Sequence, residues 1–190
     1  MEAYKPNRKR KEKENCKETK LRKTGSSIKQ EFNKVQNEKE GLNGKFLEKI
    51  MSKRPNFIGV YPQDFLNGIK ITKLPISLIV NIDMSNQSGS HWIAIYINQK
   101  TVEVYDSLDL NTKYWQRKPR FLYKFLSRFR KTHKYRLTPR LQSENSQLCG
   151  FFCLFFLLYR KKYNFEKCLS VFTSHLSSNE NILISHLCKL

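Results

Sequence analysis

The chain has 190 residues, with 36 Lys and Arg against 16 Asp and Glu, for a formal charge of +20. That length holds one ordinary domain, or a smaller domain with a tail, and a charge so far from zero points to a polyanionic partner, nucleic acid first. Composition excludes collagen-like, mucin-like and wholly disordered chains, and the longest apolar run, Leu148 to Tyr159, falls short of the roughly 20 residues a bilayer crossing needs.

Residues 1–40 carry few apolar side chains, widely scattered among charges. Such a segment buries too little surface to offset its ordering entropy, so it reads as a basic tail, disordered or only locally helical, ahead of a domain over 41–190. The start is charged with no apolar stretch behind it, so no secretory signal is expected. An odd count of 5 cysteines then fits a reducing compartment better than a disulfide framework.

A short helix is expected over 41–51, with Phe46, Leu47, Ile50 and Met51 on one face. The stretches 57–61, 75–82, 91–97 and 101–106 read as strands, the last two joined by the hairpin-length Asn98-Gln99-Lys100. Phe121, Leu122, Phe125, Leu126 and Phe129 recur at helical spacing and predict a helix over 114–131. Tyr135 to Gln142 reads as a further strand, placed at an edge or bulge by Pro139. The segment 149–162 is apolar almost all round, hence a central buried helix, and 165–175 and 180–187 predict final helices. Helices flanking a small sheet make the fold class α+β.

Three residues stand where chemistry could start. His91 opens a strand, Asp106 closes the next, and Cys149 begins the apolar helix directly before Gly150. If the two strands form an antiparallel hairpin, His91 and Asp106 share one end of it and can touch. A helix N-terminus favours a thiolate, a neighbouring imidazolium favours it further, and a carboxylate fixes the imidazole tautomer. Taken singly, each residue has a plainer reading. Cys149 fits a small core residue like Cys153, His91 a strand-end histidine, and Asp106 a turn former.

Together the segments Ser90-His91-Trp92, Tyr105-Asp106-Ser107 and Gln142 to Cys153 resemble the adenovirus-type (adenain-like) cysteine endopeptidases, and more distantly the ubiquitin-like-protein proteases. Phe57 to Tyr61 resembles the family's N-terminal segment, and the similarity spans roughly residues 55–190. Proteases of this type occur in adenoviruses and in Maverick/Polinton-type elements. The resemblance implies a papain-like clan fold with a small mixed sheet and a central helix carrying the nucleophile. It implies Cys149 as nucleophile, His91 as general base and acid, Asp106 as the third member, and Gln142 with the Cys149 N–H as oxyanion donors. Trp92 is expected either along the substrate groove or in the core, and Gly150 is expected to let substrate backbone approach.

Between Asp109 and Glu144 there are 11 Lys or Arg and no acidic residue. Arg117, Lys124, Arg128 and Lys131 would share one helix side, a stripe suited to phosphate backbones. The resemblance adds stimulation by DNA, with no cofactor strictly required. The family's activating peptide is disulfide-linked to a cysteine at the position of Lys131 here, so covalent peptide activation is not expected. Two basic clusters, 5–11 and 20–23, suit nuclear import or nucleic-acid tethering. Cys168, His175, His186 and Cys188 lack the paired spacing of structural zinc sites, so no metal is expected. The sequence therefore reads as a monomeric cysteine endopeptidase that cleaves Gly-containing sites in viral or transposon precursors, near DNA, in a host nucleus or virion. A modifier-removing isopeptidase and an inactive nucleic-acid-binding protein are the alternatives.

Overall fold

A computed structural model describes residues 8–38, 40–109 and 119–189, with side chains from residue 23 onward. Five strands form one mixed sheet in the order β1-β2-β3-β4-β5: β1 (Phe57–Pro62), β2 (Ile76–Asn81), β3 (Trp92–Ile97), β4 (Thr101–Tyr105) and β5 (Lys134–Leu137). The strands β2, β3 and β4 run antiparallel as a meander, while β1 joins β2 and β5 joins β4 in parallel. The class is α+β, as the sequence indicates.

The period-2 alternation of the central strands divides the core in two. Ile93, Ile95 and Ile97 of β3 face one layer, with Leu122, Phe125 and Leu126 of helix α3 (Arg120–Ser127). Ala94 faces the other, with Ile79, Tyr105 and helix α4 (Cys149–Arg160), and Trp92 and Tyr96 pack at its border. Residues Cys149 to Leu157 are all buried, so α4 has no solvent face over two turns. Its ring Phe156 stacks on Tyr105 at 4.4 Å between centroids. At the far end of α4, Arg160 makes a two-pronged pair with the buried Glu103 of β4, at 2.6 and 2.9 Å.

Among the described residues, the other α-helices are α1 (Arg8–Glu38), α2 (Gly44–Met51), α5 (Phe165–Leu169) and α6 (Leu176–Cys188). Helix α1 differs from the disordered or locally helical tail that composition suggests. Ile28, Phe32 and Val35 lie on one stripe of it. Ile28 and Val35 are buried in the α4 core cluster, and Phe32 meets Phe151 edge-on at 5.7 Å. Three apolar residues at the right spacing suffice once α4 and α6 supply the partner surface. Other boundaries are shorter than the sequence suggests. The edge strand β5 stops at Leu137, the helix expected over 114–131 is helical at 120–127, and its expected first residues lie outside the described ones. Among the described residues, no helix is long and apolar enough to cross a membrane.

Candidate active site

The meander brings distant residues to one end of the sheet. The strand β2 ends at Asn81, β3 begins at Trp92 directly opposite it, and β4 ends at Tyr105. His91 and Asp106 therefore flank the β3–β4 ladder at the same end. The His91 Nε2–H donates to Asp106 Oδ1 at 2.8 Å, with both residues buried. The Asp106 carboxylate also accepts the Leu108 N–H, at 3.1 Å. The Asp106 backbone is clamped from both sides by Thr138, whose hydroxyl accepts its N–H and donates to its carbonyl, each at 2.9 Å.

Cys149 is the first residue of α4, and no side chain caps that helix start. Its unpaired N–H groups therefore face the site. With Nε2 committed to Asp106, Nδ1 is the ring nitrogen left to meet the thiol, and it makes no closed hydrogen bond. Burial alone pushes the His91 pKa down. The Asp106 hydrogen bond, then the nearby Cys149 sulfur, together with the Asp106 charge, carry it up to about 9. A histidine held protonated beside a sulfur is an arrangement that favours nucleophilic chemistry. Cys153, one turn on, is fully buried, and burial holds its thiol pKa well above the ordinary value.

Gln142 is completely buried. Its Oε1 accepts from Ser107 Oγ at 2.6 Å, and its Nε2 donates to the Ser146 carbonyl at 2.6 Å. An amide nitrogen carries two protons, so one is left for a further acceptor. The Ser107 carbonyl accepts the N–H groups of Leu141 and Gln142, at 2.8 and 2.9 Å, which couples the Gln142 loop to the Asp106 turn.

An open groove of about 1250 Å³ leads to Cys149 between the segment at Gly41–Gly44, the edge of β1 and the loop 84–90. Trp92 lines it, and its indole N–H donates to the Leu42 carbonyl at 2.7 Å. The same Leu42 covers Gly150. A Cβ built at Gly150 would stand 2.9 Å from Leu42 Cβ, so the glycine is required by packing against Leu42, where the sequence suggests approach of substrate.

The structure thus brings Cys149, His91 and Asp106 together, and ties Gln142 to the Asp106 turn through Ser107. Lys124, Arg128 and Lys131 are exposed elsewhere, on α3 and the turn after it, which packs on the other face of the sheet. Arg128 spends one donor on the Ile69 carbonyl at 3.0 Å. Arg117 lies outside the described residues. His186 is bonded through Nδ1 to the Tyr159 hydroxyl at 2.9 Å, and Cys168 is buried. Among the described residues, no three metal-ligating side chains converge. Thr138, Ser107, Ser146 and Leu42 carry no sequence signal of their own, because each acts through contacts to residues remote in the chain.

The family model for adenovirus endoproteases (peptidase C5) matches residues 57–181. The chain belongs to the adenovirus endoprotease family. It is accordingly a cysteine protease acting on polypeptides, and its α+β architecture with a five-stranded mixed sheet is the fold that this membership implies. Among solved structures, the SUMO protease Ulp1 with its catalytic cysteine oxidized to a sulfinic acid is 19% identical, with 78% of this chain and 77% of that chain covered and a TM-score of 0.41. The ASFV pS273R protease is 18% identical, with 61% of this chain and 43% of that chain covered and a TM-score of 0.39. No curated protein matches the chain in sequence.

Proposed function

We propose that this adenain-family protease works through Cys149 as nucleophile, His91 as base and acid, Asp106 as the group orienting His91, and Gln142 as an oxyanion donor. The observation that carries the assignment is the buried His91–Asp106 pair at 2.8 Å beside a cysteine at an uncapped helix start, at the foot of an open groove. In the reaction the sulfur, its proton already carried on His91 Nδ1, adds to the peptide carbonyl carbon. The oxygen that gains the negative charge is met by the Cys149 N–H and the free Gln142 Nε2 proton. His91 returns the proton to the leaving amine as the C–N bond breaks, leaving a thioester. A water, deprotonated by His91, then hydrolyses the thioester and restores the thiol.

The preferred substrates in this reading are extended, Gly-containing sites in viral or transposon precursor polypeptides, cut near DNA in a host nucleus or virion. The bulk of Trp92 at the groove wall, which favours residues without side chains near the sulfur, supports the glycine preference. The exposed cations Lys124, Arg128 and Lys131 support contact with DNA as a stimulating polyanion, on a face separate from the groove. The test is cleavage of fluorogenic peptides carrying Gly-Gly and Gly-x pairs, with and without DNA, beside Cys149→Ala. Cleavage lost in the variant and stimulated by DNA supports both parts. Cleavage only of folded modifier fusions would replace the precursor reading with an isopeptidase. DNA affinity unchanged by charge reversal at Lys124, Arg128 and Lys131 would remove the stripe.

A further inference from the structure

Asn81 ends β2 and is 6% exposed. It pairs directly with Trp92 across the antiparallel ladder, so both side chains emerge on one face of the sheet, the face on which α4 packs. Both line the groove that reaches Cys149. Asn81 Oδ1 accepts the Asp83 N–H at 2.9 Å, which fixes which way the amide points. Its Nδ2 has no hydrogen-bond acceptor among the described residues. The wall of the groove beside Nδ2 is Gly89, whose φ of +88° is in the left-handed region and whose Cβ, if it had one, would come within 2.8 Å of that nitrogen. A glycine here leaves the amide uncovered.

Nδ2 is not one of the fully buried atoms left without a partner, so it opens into the groove, where water or a bound ligand can accept from it. An extended peptide lying in the groove offers a carbonyl at every residue. We propose that Asn81 Nδ2 donates to a main-chain carbonyl of the bound polypeptide, and that Gly89 is retained to leave that donor open. Asn81 is then a substrate-binding residue that recognises backbone rather than side chain. The inference rests on the groove being the substrate cleft.

The discriminating variant is Asn81→Asp. It keeps an oxygen for the Asp83 N–H, and so the loop, but replaces the groove-facing donor with an acceptor that repels a carbonyl. The probe is a fluorescein-labelled extended peptide with a central Gly-Gly pair. Its affinity is measured by anisotropy in the Cys149→Ala background, so that binding is read without turnover. The expected result is a Kd raised about 10- to 100-fold by Asn81→Asp at neutral pH, with the gap narrowing as the introduced carboxyl is protonated in acid. Unchanged affinity in Asn81→Asp, or no binding by Cys149→Ala at all, would overturn the inference. Asn81-dependent binding by a wild-type chain that cleaves nothing would instead overturn the protease assignment of Cys149 and leave this inference standing.

Discussion

Asp106 is one of two residues that raise the His91 pKa, Cys149 being the other, and Asp106→Asn removes its charge. The asparagine keeps an oxygen to accept the His91 Nε2–H and the Leu108 N–H, so the contacts survive while the charge is lost. In the wild type the imidazole pKa rises from the ordinary 6.5 to about 9 against a burial effect that lowers it. A raised histidine pKa contributes stability that is fully present below about 6.5 and lost as pH rises through about 9. A rise of this size is worth about 3 kcal/mol. In the variant the carboxylate no longer opposes burial and only the Cys149 sulfur still does, so this contribution shrinks. Urea denaturation of both proteins should therefore show a gap near pH 6, at most about 3 kcal/mol, that shrinks steadily towards about pH 10. Other groups that titrate over this range are common to both proteins and cancel in the difference. Parallel pH profiles for the two proteins would refute the charged His91–Asp106 pair.

Gln142→Ala should lower turnover about 10²- to 10³-fold with little change in KM, read from steady-state peptide cleavage; an equal loss confined to KM would assign Gln142 to substrate binding. Ile28→Ala should lower stability by about 2–5 kcal/mol in chemical denaturation, because its side chain is fully buried in the α4 core cluster; an unchanged midpoint would mean that α1 is a detached tail. Gly150→Ala should cost about 1–3 kcal/mol by forcing a methyl against Leu42. Adding Leu42→Gly should recover part of that loss in a double-mutant cycle, and strict additivity would show that the two residues do not touch.

Much of the site is legible in the sequence because its chemistry sits at element ends that patterning marks clearly. His91 and Asp106 terminate two strands of strong β-branched and aromatic character, and one hairpin places them together. Cys149 starts the most apolar stretch of the chain, which has no other reading than a buried helix. What is not legible depends on contacts between distant segments. Helix α1 is hidden because Ile28, Phe32 and Val35 are diluted among charges, and their partner surface on α4 and α6 lies more than a hundred residues away. The reason for Gly150 is likewise a neighbour, Leu42, that no local pattern connects to it. Thr138 and Ser107 are ordinary turn-forming residues in sequence, and only the sheet register brings them to the Asp106 backbone and to Gln142. The strand beginning at Tyr135 is shortened because Pro139 ends the ladder with β4 soon after Leu137.

The central claim is that Cys149, activated by His91, is the nucleophile. The most direct test is intact-mass and peptide-mapping analysis after treatment with a peptide vinyl sulfone ending in Gly-Gly, on the wild-type protein and on His91→Ala. The account requires a single adduct, on Cys149, forming rapidly in the wild type and barely at all in His91→Ala. Labelling spread over Cys153, Cys168 and Cys188, or Cys149 labelling that is indifferent to His91, would contradict it.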